Sequence, residues 1–200
     1  QQNALAIAMG LVTMLGATSD EANENVTQLL LQLCSLDEGK RLAIAKAGAI
    51  QKLVLQLRAK STKAQELAAA AIAMLTSDST HGEANCAECA SAGAVKPLVA
   101  LLESQSFEAQ AFAAAVISDL TRNSRECQEA VAQAEGVEPL IGLLTTGFNA
   151  ECKAEAAGAL WSLSTSGKAQ QTSISDKGAI EPLVTLLSDV NPRCRARAAG

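Results

Sequence analysis

Cys86 and Cys89 form a Cys-x-x-Cys pair, with His81 five residues ahead of Cys86. Thiolates and an imidazole at such spacing suggest zinc binding or redox exchange. Structural zinc takes four ligands, and no second ligand pair follows. No strand pattern precedes the pair to suggest a thioredoxin-like unit. These residues therefore read as loop and helix residues rather than a metal site. Catalysis has little other material. His81 is the sole histidine, and neither a Gly-x-Ser-x-Gly elbow nor a phosphate loop is present. The sequence predicts no catalytic residue, no metal and no cofactor, and so not an enzyme.

The carboxylates do something different: they recur. "NAECKAEAAG" begins at residue 149 and "NPRCRARAAG" at residue 191, an interval of 42. Asn, Cys, three Ala and the final Gly keep their offsets. The charges between them reverse, Glu151, Lys153 and Glu155 becoming Arg193, Arg195 and Arg197. Side chains that repeat along a chain do not converge in one pocket. They are spread over a regular surface, and the elements that carry them must themselves repeat.

Composition fits such a design. Of 200 residues, 48% are hydrophobic but only 2% aromatic, so Ala and Leu must fill the core and helices must pack closely. The net charge of −5 and four aromatic residues give little for nucleic acid to hold. "NSR" at 123–125 and "RCRAR" at 193–197 are too short for a nucleic-acid stripe. No stretch approaches the roughly 18 apolar residues of a membrane span. The six cysteines are scattered through helical patterns rather than set in a disulfide framework. They predict reduced, half-buried thiols of an intracellular protein. Cys152 and Cys194 fall on neighbouring helices, which pack roughly 8–10 Å apart, beyond the reach of a bridge.

"GAIQKLVLQL" at Gly48, "GAVKPLVALL" at Gly93, "GVEPLIGLL" at Gly136 and "GAIEPLVTLL" at Gly178 are one phrase, with a degenerate copy "GLVTML" at Gly10. Aligned on Leu11, Leu53, Leu98, Leu140 and Leu183, the intervals are 42, 45, 42 and 43. Each unit reads as three helices. The Gly ends a short first helix in a left-handed turn. Pro97, Pro139 and Pro182 fall in the first turn of a second helix, where a missing N–H costs nothing. A longer Ala-rich third helix follows, with Asn149 and Asn191 as N-caps. The units are about 1–36 (lacking the first helix), 37–77, 78–121, 122–165 and 166–200 (partial), with a longer loop at 76–86. The chain opens on Gln1 rather than Met and stops partway through a third helix, so it is expected to be part of a longer protein.

The phrase Gly-Ala-Ile/Val-x-Pro-Leu-Val-x-Leu-Leu, followed by "AAGALWSLS" at 156–164, resembles the armadillo repeat over essentially the whole chain. "NSRECQEAVAQAEGVEPLIGLL" at 123–144 is its fullest run. HEAT repeats share the period but usually lack the Gly-Ala-Ile opening. The resemblance implies a single all-α domain over 1–200, a right-handed α-solenoid of three-helix repeats, with third helices lining a concave groove. In the fourth unit Ala157, Leu160, Leu163 and Ser164 share one helix face, and Glu151, Glu155, Gly158 and Ser162 lie opposite. Carrying that frame through the repeats gives Glu21, Asn25, Gln28 and Gln32; Lys63, Leu67, Ala70 and Met74; Glu108, Phe112, Ala115 and Asp119; and Arg193 and Arg197. The candidate protein-binding positions are therefore Gln28, Gln32, Lys63, Leu67, Met74, Glu108, Phe112, Asp119, Glu151, Glu155, Ser162, Arg193 and Arg197.

Armadillo proteins that import nuclear cargo place a Trp and an Asn four residues apart on third helices. The matching pairs here are Gln28/Gln32, Ala70/Met74, Ala115/Asp119 and Gly158/Ser162, which form no such ladder. Trp161 lies one position off the Asn frame and is expected to pack between units. The resemblance implies a scaffold or adaptor, cytoplasmic or nuclear, whose partner is a protein or peptide segment, with no nucleic acid, membrane insertion or small-molecule substrate. The partner would carry basic residues toward Glu108–Glu155 and acidic ones toward Arg193 and Arg197. Two alternative roles are the substrate-recognition region of a ubiquitin ligase and a membrane-tethered protein that positions organelles.

Overall fold

The computed structural model describes residues 2–16, 19–77, 80–147 and 149–200, and all regular structure among them is helical. The chain packs as two compact units, Gln1–Pro97 and Leu98–Gly200.

In the first unit, α1 (Gln2–Met14) and α2 (Asp20–Leu36) correspond to the second and third helices of a repeat. A full repeat follows, with α3 (Glu38–Lys46), α4 (Ala49–Gln56) and α5 (Thr62–Thr76). Then come α6 (Gly82–Ser91) and α7 (Val95–Leu101), which crosses into the second unit. That unit continues with α8 (Phe107–Arg122), α9 (Arg125–Gln133), α10 (Val137–Thr146), α11 (Ala150–Ser164), α12 (Lys168–Asp176), α13 (Ile180–Leu186) and α14 (Pro192–Ala198).

The third helices start alike. Ser19, Ser61, Ser106 and Asn149 each accept from the amide three residues on, at Ala22, Ala64, Ala109 and Cys152, and Asn191 accepts from Arg193. Such caps satisfy amides that have no partner inside the helix. α2 packs on α5 in the first unit, and α11 lies between α8 and α14 in the second. Alanines make this closeness possible. Ala68 to Ala71 are buried, as are Ala113, Ala114, Ala154, Ala156, Ala157 and Ala159. Leucines fill the space beneath: Leu53, Leu98 and Leu140, the alignment residues of three repeats, are each fully buried, worth about 2 kcal/mol apiece.

Two polar clamps recur with the repeat. On first helices, Arg41 Nη1 donates to Cys34 O (3.0 Å), Asn85 Nδ2 to Leu75 O (2.8 Å) and Gln128 Nε2 to Thr121 O (2.9 Å). Each ties down a carbonyl at the end of the preceding third helix, where helices leave acceptors unsatisfied. On third helices, Gln65 Nε2 donates to Ala59 O, Gln110 Nε2 to Ser104 O and Arg195 Nη1 to Asp189 O, at 2.8–2.9 Å. These hold the loop that feeds each third helix.

Two sequence expectations need correction. Gly48, Gly93 and Gly178 have φ of +79°, +76° and +84°, as expected, but Gly136 does not. Glu135 takes the left-handed position instead, at φ +61°. Gly136 is one place further along, in the slot of Ala49, Ala94 and Ala179. A Cβ there would lie 2.8 Å from Val131 Cγ1 and 3.0 Å from Val99 Cγ2, so Gly is required by closeness rather than by backbone angle. The loop expected at 76–86 is also shorter. Asp78 and Ser79 lie outside the described residues, but α5 reaches Thr76 and α6 begins at Gly82. The Asn85 clamp and the fit of Gly82 under Thr76 O, 2.3 Å from an added Cβ, pull α6 onto the end of α5.

Candidate functional site

The third helices carry the candidate positions, and packing decides which of them reach solvent. In the first unit Gln28 and Gln32 are exposed on α2, and Lys63 is exposed on α5 with an ion pair to Glu66 (2.6 Å). Met74 is half-buried. Leu67, expected in the groove, is buried at 5% exposure. Its side chain belongs to the core, because α2 packs along α5. The Ser61 hydroxyl, on the loop entering α5, bonds Glu24 of α2 at 2.5 Å.

In the second unit Glu108 is exposed on α8 and Phe112 is half-buried one turn later. Asp119 is half-buried and paired with Arg122 on its own helix at 2.7 Å. Ser162 is half-buried, and Trp161 beside it is 44% exposed. Trp161 was expected to pack between units of the repeat. Its ring lies against Gly200, just past α14, and with Leu160, Ile174, Ile180 and Leu183 it lines a cavity of about 300 Å³.

Glu151, Glu155, Arg193 and Arg197 do not form separate acidic and basic zones. Arg193 bonds Glu151, and its Nη2 lies 2.6 Å from Glu155 Oε1. Arg197 Nη2 lies 4.0 Å from Glu155 Oε2 and packs over Gly158. Glu155 is buried at 7% exposure, so it is closed to a partner. Sequence reasoning placed the four charges on one face but paired them with an external segment. α14 stacks on α11 with the same frame position alongside, so they neutralise each other. Burial opposes charge on Arg193, yet Glu151 and Glu155 outweigh it and raise its pKa above the usual arginine value. The sign reversal between the two similar decapeptides is thus a pairing device between neighbouring helices.

Cys34, Cys127, Cys152 and Cys194 are buried and unbridged. Cys86 and Cys89 both lie on α6, and no cluster fit to hold a metal occurs among the described residues. Burial pushes the Cys34 and Cys152 thiols up to about 11, opposed by Arg41 and Lys153 respectively. Thiols held protonated in this way are poor nucleophiles. No described helix is long and apolar enough to cross a membrane.

The arrangement is that of a helical-repeat protein whose third helices display regularly spaced side chains. The chain belongs to the armadillo repeat proteins. The family model of the armadillo/beta-catenin-like repeat matches residues 124–165. Among solved structures, an engineered protein is 30% identical over 96% of this chain and 76% of its own, with a TM-score of 0.81. A computationally designed armadillo repeat protein for modular peptide recognition is 26% identical over 95% and 78%, with a TM-score of 0.82. A further designed armadillo repeat protein, in complex with the peptide (KR)4, is 26% identical over 95% and 78%, with a TM-score of 0.78. No curated protein matches the chain.

Proposed function

We propose that the chain is a non-enzymatic adaptor that holds a segment of a partner protein against its third helices. The observation that carries this reading is the regular display of Gln28 and Gln32 in one unit and of Glu108, Phe112 and Ser162 in the other. The likeness to a designed armadillo protein bound to an alternating Lys-Arg peptide supports a basic partner segment. Arg193 already occupies Glu151 and Glu155, so the acidic contact for such a segment moves to Glu108, with Phe112 packing against the stems of its long side chains. The buried, unbridged thiols of Cys34, Cys127, Cys152 and Cys194 support a reducing compartment, cytoplasmic or nuclear.

The test is a fluorescence-anisotropy titration of a labelled Lys-Arg octapeptide. Glu108→Lys with Phe112→Ala should weaken binding at least about tenfold, corresponding to about 1.4 kcal/mol. Gly142→Ser, on the exposed side of the second helix α10, should leave it unchanged. Equal binding by all three proteins would show that the third helices are not the working surface.

A further inference from the structure

Cations are not spread evenly along the chain. Between Gly39 and Gln65 lie seven Lys and Arg residues and no Asp or Glu, in a protein whose net charge is −5. Three of the seven are engaged: Lys40 with Asp37 at 2.7 Å, Lys63 with Glu66 at 2.6 Å, and Arg41 with Cys34 O at 3.0 Å. Lys46, Lys52, Arg58 and Lys60 are exposed, and among the described residues no carboxylate pairs with them. A positive field is therefore left on the outer side of α4 and on the loop that follows it.

Leu55 stands in this field at 61% exposure. The same register of the other second helices holds Thr13, Ala100, Gly142 and Thr185, all exposed and all small or polar. Elements on both sides, α3, α5 and α6, pack against α4, so Leu55 is bare because of its outward register and not for want of a neighbour. Residues three apart share a helix face, which sets Lys52, Leu55 and Arg58 in one row. The two charged heads are drawn apart. Lys52 Nζ reaches the turn after α1, 3.9 Å from a Cβ built on Gly16. Arg58 Nη2 donates to Gly93 O at 3.2 Å, on the turn after α6, and keeps most of its N–H donors for another acceptor. One cation thus leans toward the preceding repeat and the other toward the following one, with the apolar side chain between them. No other repeat carries this triplet: the positions of Lys52 and Arg58 are Pro97 and Glu103, Pro139 and Thr145, and Pro182 and Ser188.

We infer that this row is a second docking surface, which binds an acidic segment of a partner protein. Carboxylates of the segment meet Lys52, Arg58 and Lys60, and an apolar residue between them covers Leu55. An extended segment advances about 3.3 Å per residue, so carboxylates one or two places to either side of an apolar residue reach both cations. Charge complementarity sets the sign of the partner, and Leu55 sets the apolar centre that a purely electrostatic contact would not need. An anionic lipid surface fits less well. Leu55 is the one large apolar side chain exposed between residues 39 and 65, and stable membrane attachment takes more than one anchor. The surface lies on a second helix and takes the opposite charge to the third-helix surface, so the two are independent.

The test is a fluorescence-anisotropy titration of a labelled peptide, Glu-Glu-Asp-Leu-Leu-Asp-Glu-Glu, with the 200-residue chain up to about 500 µM. Binding should saturate. Leu55→Ser should weaken it at least about fivefold, and Lys52→Gln with Lys60→Gln at least about tenfold. Lys168→Gln, at an exposed cation of α12, should leave it unchanged. A peptide of the same charge with Ser-Ser in place of Leu-Leu should bind at least about fivefold more weakly. Circular dichroism establishes that every variant keeps wild-type helicity. No binding at the highest concentration would overturn the proposal, as would equal binding of the two peptides or equal affinity of wild type and the Leu55 variant. A chain that binds phosphatidylserine vesicles but not the peptide would assign the patch to lipid and overturn it too. The Lys-Arg octapeptide and the Glu108 and Phe112 substitutions probe the other surface, so either reading can fail alone.

Discussion

Arg193 Nη2 lies 2.6 Å from Glu155 Oε1, and that carboxylate is 7% exposed although its position in the repeat frame is one expected to face a ligand. The pair joins residues from consecutive repeats, so it also sets the register of α14 on α11. Arg193→Ala leaves Glu155 with only Arg197 at 4.0 Å. The expected cost is about 1–2 kcal/mol, below the roughly 3–5 kcal/mol of a fully buried pair because Arg193 is half-exposed. Glu155→Met with Arg193→Met should recover most of the loss. Urea unfolding of the three proteins measures both effects.

Glu135 is the one described non-glycine residue with positive φ. Glu135→Gly should raise stability by about 1 kcal/mol, since the left-handed region costs a Cβ-bearing residue about that much. Gly136→Ala should do the opposite, because the new methyl would press on Val131 and Val99. A sequence reading that treats Gly136 as the turn residue predicts the reverse order, so thermal melts of the two variants discriminate.

The side-chain clamps make a second repeat-wide prediction. Asn85→Ala and Gln128→Ala each leave a carbonyl at the end of a third helix, Leu75 O or Thr121 O, without its donor. Each should cost about 1–3 kcal/mol. Arg41→Ala, at a less buried site, should cost less.

The buried thiols give a pH dependence whose sign is fixed. Cys34 and Cys152 ionise near 11 in the folded protein and near 9.0 when unfolded. Between those values the unfolded chain has released protons that the folded chain retains. Stability should therefore fall as pH rises from 9 toward 11, by about 1.4 kcal/mol per pH unit for each thiol. Substituting both cysteines with Ala should flatten that slope. At neutral pH both thiols should resist alkylation until the protein is unfolded.

The repeat period, the three helices of each unit, the prolines in first turns and the Asn caps were legible in the sequence because each is a local signal. Gly followed by a short apolar phrase marks a helix boundary wherever it occurs. The frame of the third helices was equally legible, and it put Glu151 and Arg193 at the same position on neighbouring helices. What it could not supply was contact across the stack. Leu67 and Glu155 occupy the expected frame positions but are covered by neighbours roughly 40 residues away, a distance over which helical periodicity carries no information. The clamp formed by Arg41, Asn85 and Gln128 was missed because the three side chains differ in type. A search at the repeat period for any long donor would have found it.

The central claim is that the third helices are the binding surface, and site-specific crosslinking tests it most directly. A photoreactive benzoylphenylalanine replaces Phe112 on α8 or, separately, the exposed Thr145 on α10. Each protein is irradiated with the labelled Lys-Arg octapeptide. The account predicts capture from position 112 that excess unlabelled peptide abolishes, and none from position 145. Capture from 145 alone, or equal capture from both, would contradict it.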